Sequence, residues 1–116
     1  MNSPLPFQVF PALDCVGIGE TMIQLTPQSG ANLATSSQLT VRVAGAESTV
    51  LSYLGLLGHS IAWVSAVGRD PWGDRVLAEL QKNRIDVSHA VRDGGSATGV
   101  FFKDFLPGPE RSVYYY

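Results

Sequence analysis

One cysteine, two histidines and no dominant charge of either sign set the first limits on this 116-residue chain. Cys15 has no partner for an internal disulfide, and its apolar, strand-like surroundings predict a buried, inert thiol. His59 and His89 stand apart, with no second ligand at metal spacing. Eight Lys and Arg against ten Asp and Glu leave a formal net charge of −2, which removes the electrostatic case for nucleic acid or an anionic membrane. No apolar run approaches the ~20 residues that cross a bilayer. The opening MNSPLPFQVFPALD has no basic region and is broken by Pro4, Pro6 and Pro11, so it is not read as a secretory signal. A cytoplasmic protein is the default expectation. Charged residues are only 16% of the chain and hydrophobic ones 45%, which argues against disorder, and the length allows at most one domain.

What is present is organised around Val43 to Gly73. Ala44-Gly45-Ala46 is small enough for backbone to approach a ligand, and Gly45 is free to take φ > 0. From Val50 the apolar residues Val50, Leu51, Leu54 and Leu57 fall at helical spacing, and Gly58 sits where a left-handed residue would stop that helix. Ser60 to Val67 reads as a strand buried on both faces. Asp70 then caps a second helix with Pro71 at its first position. That helix runs to about Arg84, with Trp72, Val76, Leu77 and Leu80 on one face. Turn, helix, strand and capped helix are half of a doubly wound α/β sheet.

Around this centre, residues 1–13 form an extended lead-in and Asp14 to Thr26 the first strand, ended by Pro27. Gly17-Ile18-Gly19 invites a dinucleotide-binding reading and hence an NAD-dependent oxidoreductase. A third glycine and an immediate helix are missing, so strand glycines making room for a neighbour explain it better. Gly68 to Gly73 has the two-glycine spacing of a phosphate loop, but Asp74-Arg75 stands where Lys and a hydroxyl residue are required, and helix capping accounts for it. Leu39 to Val43 alternates as a half-exposed strand does, suggesting a small accessory sheet. Ile85 to Val91 is a short strand or extended link, and Arg92 to Gly95 a turn. Thr98 to Leu106 and Arg111 to Tyr116 are the arms of a hairpin, in which parity sets Tyr115 opposite in sense to Tyr114 and Tyr116 and Phe101 opposite to Phe102. The last arm is an open aromatic strand, an arrangement that invites association, and the chain reads as part of a larger domain.

Taken in order, AGAESTVLSYLGLLG, VSAVGRDPWGDRVLAEL, IDVSHAV and TGVFF resemble the N-terminal part of the ribokinase-like (PfkB) sugar kinases. GIGETMIQLTP and FKDFLPGPERSVYYY are most similar to the 2-keto-3-deoxygluconate kinase branch. The resemblance implies an α/β, Rossmann-like (ribokinase-like) doubly wound sheet with a small β lid, truncated here. Residues 14–116 would be the N-terminal portion of that domain, with lid strands near 39–43 and 98–116. It also implies ATP-dependent phosphorylation of a sugar or sugar-acid hydroxyl, with ATP and Mg held by the full-length parent. The family's Gly-Ala-Gly-Asp motif, which supplies the anion hole and the catalytic base, does not occur in these 116 residues, so no catalytic residue is assigned.

Carried over residue by residue, the resemblance points to substrate contacts at Ala44, Gly45, Thr49, Gln24, Phe101 and Tyr115. Ala44 replaces the first glycine of the family's turn. Thr49 stands where the family places an asparagine, and it is shorter and lacks the amide's two donors. Phe101 stands at a position that is often Tyr, and can stack on a sugar without donating a hydrogen bond. Tyr115 matches a lid tyrosine, and the carboxylate-binding arginine of the family would fall beyond Tyr116. A different reading is a non-catalytic module that binds a sugar, or dimerises, through the aromatic lid strands. Either way the expected partners are a sugar or sugar acid and a further copy of the chain, not nucleic acid or membrane.

Overall fold

A computed structural model describes residues 12–105 and 110–116. The lead-in over 1–11 and the Pro107-Gly108-Pro109 turn expected between the hairpin arms lie outside the described residues. Ten elements follow in order: β1 Cys15–Ile18, β2 Met22–Pro27, β3 Leu39–Ala44, α1 Ala46–Leu56, β4 Ile61–Val64, β5 Ala66–Gly68, α2 Pro71–Lys82, β6 Val91–Asp93, β7 Val100–Phe105 and β8 Arg111–Tyr115. Parallel pairs β1–β4 and β5–β6 form the α/β part, and β3-β2-β7-β8 form a separate four-stranded sheet. Asp86 extends the first pair, its backbone exchanging hydrogen bonds with Trp63 N–H at 2.9 Å and the Ile61 carbonyl at 3.0 Å.

Local chemistry sets both helices. Asp70 Oδ1 accepts from Gly73 N–H at 2.8 Å, and Pro71, whose missing N–H costs nothing there, opens α2. Val76 and Leu80, one turn apart, are buried inward, a burial that contributes about 2 kcal/mol for each side chain. Arg84, at φ 63°, turns the chain out of the helix. At the end of α1, Gly58 at φ 91° lets its own N–H reach the Gly55 carbonyl and His59 N–H reach that of Leu54. This is the paired closure expected of a glycine just past a helix. The core joins Ile23, Leu51, Ile61, Trp63, Val67, Val76, Leu80 and Ile85.

Several sequence expectations change. The single strand over 14–26 is two strands in two sheets: the chain leaves β1 at Gly19 and re-enters as β2, which belongs to the accessory sheet. Ser65 likewise interrupts the strand expected over 60–67. The turn placed at Arg92 to Gly95 begins inside β6, which pairs with β5 from Ala66↔Val91 to Gly68↔Asp93. Val50 and Leu57, expected in the packed stripe of α1, are 58% and 76% exposed. Leu51 and Leu54 carry the packing there, and Trp72 is left at the surface of α2. Both helices turn this way because the small residues Ser48, Gly55 and Gly73 occupy the contact faces and bring backbones close. Gly17 has the same use: a Cβ there would lie 2.6 Å from Leu51 Cδ1, so the strand glycine makes room for α1. Cys15 is half-buried against the core rather than enclosed.

Candidate substrate-binding site

Strand pairing in the accessory sheet brings distant residues into one row. Gln24 pairs with Arg42 on β3 and with Phe101 on β7, and Phe101 pairs with Tyr115 on β8. Paired residues share a face, so Arg42, Gln24, Phe101 and Tyr115 project to the same side. The Phe101 and Tyr115 rings lie 5.6 Å apart between centroids and are tilted at 32°, a separation within the attractive range. Phe102 and Tyr116 meet edge to face at 5.4 Å, while Phe102 pairs across with Tyr114, as strand parity predicts for the opposite face. Ala44 follows Arg42 by two residues and belongs to the same side, paired with Met22.

Beyond Ala44 the chain turns at Gly45 into α1. Gly45 has φ −172°, an extended conformation open to any residue, so the expected left-handed turn is not what requires glycine. Space requires it. A Cβ would stand 2.8 Å from the Glu20 carbonyl, 2.8 Å from Thr21 Oγ1 and 2.9 Å from Ser48 Oγ. No side chain caps α1, so the amides of its first turn meet no capping group at the positive end of the helix dipole. The carboxylates of Glu20 and Glu47 flank this turn. Glu20 Oε1 would be 2.6 Å from a Cβ on Gly99, and the Glu47 carboxyl lies against Gly19.

Thr49 is placed apart from the row. Its hydroxyl donates to the Gly45 carbonyl at 2.7 Å, leaving only acceptor capacity. Its side chain lines a cavity of about 330 Å³ between α1 and α2, with Ser48, Ser52, Glu79 and Asn83. Five of the six residues assigned from sequence therefore gather on one side of the accessory sheet and its turn, and Thr49 opens onto a different cavity. Sequence reasoning missed Arg42. Its signal was parity, because Arg42 and Ala44 alternate with Val41 and Val43 along one strand. The position beside Gln24 is visible only once β3 pairs with β2.

A hydrogen-bonded clamp fixes the root of the accessory sheet. Asp70 Oδ2 accepts from Thr98 N–H and Oδ1 from the Thr98 hydroxyl, both at 2.8 Å, and Thr98 Oγ1 accepts from Gly68 N–H at 2.9 Å. These donors, the Thr98 amide first and then that of Gly73, hold the Asp70 carboxyl below the usual carboxylate value. The clamp also settles the phosphate-loop spacing of Gly68 to Gly73. Gly68 N–H is bound by Thr98, Arg69 N–H by the Asp93 carbonyl at 2.9 Å and Gly73 N–H by Asp70, so the amides a phosphate would need are occupied. Among the described residues no cluster of three His, Cys, Asp or Glu side chains could hold a metal ion. His59 instead lies 3.4 Å from the Asp14 carboxylate. The Gly68 to Gly73 loop of these residues therefore holds no open phosphate cradle at those three amides. Among the described residues no helix is long and apolar enough to cross a membrane.

The chain is similar to known proteins. Residues 12–116 match the model of the pfkB family carbohydrate kinases. A 2-dehydro-3-deoxygalactonokinase of Haloferax volcanii is 41% identical over 103 residues, 87% of this chain and 32% of its own length. A 2-dehydro-3-deoxygluconokinase of Bacillus subtilis is 35% identical over 105 residues, 90% of this chain and 32% of its own. The structure of an uncharacterized sugar kinase of Pyrococcus horikoshii in complex with ATP superposes with a TM-score of 0.80 at 30% identity, covering 87% of this chain and 33% of that one. The chain thus spans about a third of the length of the relatives it matches. The accessory sheet is the small β lid expected beside a ribokinase-like α/β core. With the family model matching nearly its whole length, the chain belongs to the pfkB carbohydrate kinases.

Proposed function

We propose that the full-length protein containing these residues transfers a phosphoryl group from ATP to a hydroxyl of a sugar acid or related hexose, 2-keto-3-deoxygluconate being the first substrate to test. The observation that carries this reading is the row Arg42, Gln24, Phe101 and Tyr115, which ends beside the Ala44-Gly45 turn. It combines an amide, a guanidinium and two aromatic faces, a set suited to a ligand with hydroxyls on its rim and C–H groups on its faces. In this proposal Gln24 hydrogen-bonds sugar hydroxyls and Phe101 and Tyr115 stack on the ring. The uncapped amides after Gly45 receive a further oxygen. Thr49 offers its hydroxyl oxygen as an acceptor from the neighbouring cavity.

ATP, with Mg, supplies the transferable phosphoryl group, and both belong to the part of the protein that follows these residues. The work assigned to these residues is to bind, orient and shield the sugar, with the chain by itself inactive. The reading places the protein in the cytoplasm, where ATP is available, and includes self-association through the lid, favoured by Tyr115 and Tyr116 standing 68% and 81% exposed on β8 and just past it. Phosphoryl transfer from ATP by the full-length protein, measured against a panel of ketodeoxy acids and hexoses, tests it. Turnover with an acid sugar or hexose is expected. Absence of transfer to every member would overturn the proposal.

A further inference from the structure

From the Arg42 row the same side of the lid continues outward into a cleft of about 700 Å³. Its lining includes Gln24, Thr26, Thr40, Arg42, Lys103 and Arg111, and no carboxylate among the described residues. Three of the chain's eight Lys and Arg residues thus meet in one concavity, although the whole chain carries a net charge of −2. Of the two acids adjoining these cations in sequence, Glu110 before Arg111 is exposed and does not line the cleft, and the one beside Lys103 is turned away. Asp104, between Lys103 and Phe105, projects to the opposite face, buried, where its Oδ1 accepts from Leu33 N–H and Phe105 N–H, both at 2.9 Å. Neither Arg42 nor Lys103 has an acidic partner within ion-pair distance among the described residues. Arg111 is steadied over the Phe105 ring at 5.6 Å, which leaves the guanidinium edge free to donate. Hydroxyl and amide side chains fill the floor between the cations, as suits an oxyanion that needs hydrogen bonds as well as charge.

We infer that this cleft is an anion-binding subsite of the lid, in which Arg42 and Lys103 hold a carboxylate or phosphate and Arg111 closes the outer end. The inference rests on the sugar-kinase reading for its substrate: the carboxylate of an acidic sugar lying over Gln24 reaches Arg42, the one cation in the row. A free phosphate presents the same chemistry from a different source. The subsite is built from residues N-terminal to Tyr116 and needs no arginine beyond it. It selects acidic over neutral sugars by charge. Because the cleft is open to solvent, binding weakens as ionic strength rises.

The test uses the full-length protein and isothermal titration without ATP, so that binding is read independently of turnover. The probes are 2-keto-3-deoxygluconate, fructose as a neutral sugar, and inorganic phosphate. Replacing Arg42→Gln is expected to lower the ratio of acid-sugar to fructose affinity about tenfold, as for loss of one charge-assisted contact. Lys103→Gln lowers it less, and Arg42→Lys, which keeps the charge but not the fork, restores part of it. If phosphate binds and both glutamine variants abolish that binding while the sugar ratio stays put, the anion subsite stands with free phosphate as its occupant. If neither probe's affinity moves in Arg42→Gln, Lys103→Gln or the double variant, with melting temperatures matched, the subsite is refuted. Absence of phosphoryl transfer to any sugar would sink the kinase proposal alone, since the titration still decides the cleft.

Discussion

Replacing Asp70 probes the joint between lid and core. Its carboxylate takes three hydrogen bonds of 2.8 Å, from the amides of Gly73 and Thr98 and from the Thr98 hydroxyl. Asp70→Ala removes a helix cap and leaves the Thr98 amide and hydroxyl without an acceptor, a loss of about 3 kcal/mol in total. Asp70→Ser keeps a capping oxygen for α2 but cannot reach Thr98, and should recover about 1 kcal/mol of that. Thr98→Val strips the acceptor from Gly68 N–H, and in a double-mutant cycle with Asp70→Ala the two should couple by about 1–2 kcal/mol. The assay is urea unfolding of the full-length protein at pH 7, read as midpoints at constant slope. Acid adds a second readout. Because the folded-state carboxyl is held below its unfolded value of about 4, its stabilisation is present above that pH and lost as pH falls below it. Asp70→Asn should flatten this part of the acid limb. A Ser variant as stable as wild type would show that the Thr98 bonds contribute nothing, and an Ala variant within about 0.5 kcal/mol of wild type would refute the clamp altogether.

Three further outcomes are expected. Gly45→Ala meets three oxygens at 2.8–2.9 Å without any φ penalty, so it should destabilise the full-length protein by about 1–3 kcal/mol and raise KM for the sugar. A wild-type Tm and KM would show that the turn gives way freely. Val76→Ala, at a fully buried position under the lid strands, should cost about 2 kcal/mol in the same urea assay, and a shift under about 0.5 kcal/mol would argue against that packing. The 116-residue chain on its own carries Val50, Tyr53, Leu56 and Leu57 at 58–80% exposure on and just past α1, and Ile18 at 75% on β1. It should self-associate and bind a hydrophobic dye, and a clean monomer with a cooperative melt in sedimentation and calorimetry would contradict this.

How much of this was legible in the sequence depends on how far each signal reaches. The Asp70-Pro71 start and the Gly58 stop were readable because a cap involves residues within three or four positions. The opposite senses of Phe101 and Phe102 were readable because strand side chains alternate, and the pairing of Phe101 with Tyr115 follows the same rule. The break at Gly19 was not. Apolar residues continue on both sides of it, and only the choice of partner, Ile61 to Val64 for one piece and β3 with β7 for the other, divides the run. Val50 and Leu57 fall outside the packed stripe of α1, which Leu51 and Leu54 keep, for a related reason. An apolar residue such as Val50 fits helical spacing equally well on either side, and the small residues Ser48 and Gly55 decide which side approaches the core.

By itself the sequence determined the class, the family and the local punctuation: a charge-poor α/β chain, its helix caps, its hairpin parity, and Gln24, Phe101 and Tyr115 as residues of interest. These follow from contacts between near neighbours or from the order of motifs along the chain. The tertiary structure alone decided that β2 leaves the core for the lid and that Arg42 lies beside Gln24. It also decided that Gly45 is needed for space rather than for φ, and that three cations share one cleft while Asp104 faces away. Strand partners are chosen by burial and hydrogen bonding between segments up to 77 residues apart, as between Gln24 and Phe101, and no local pattern encodes that choice.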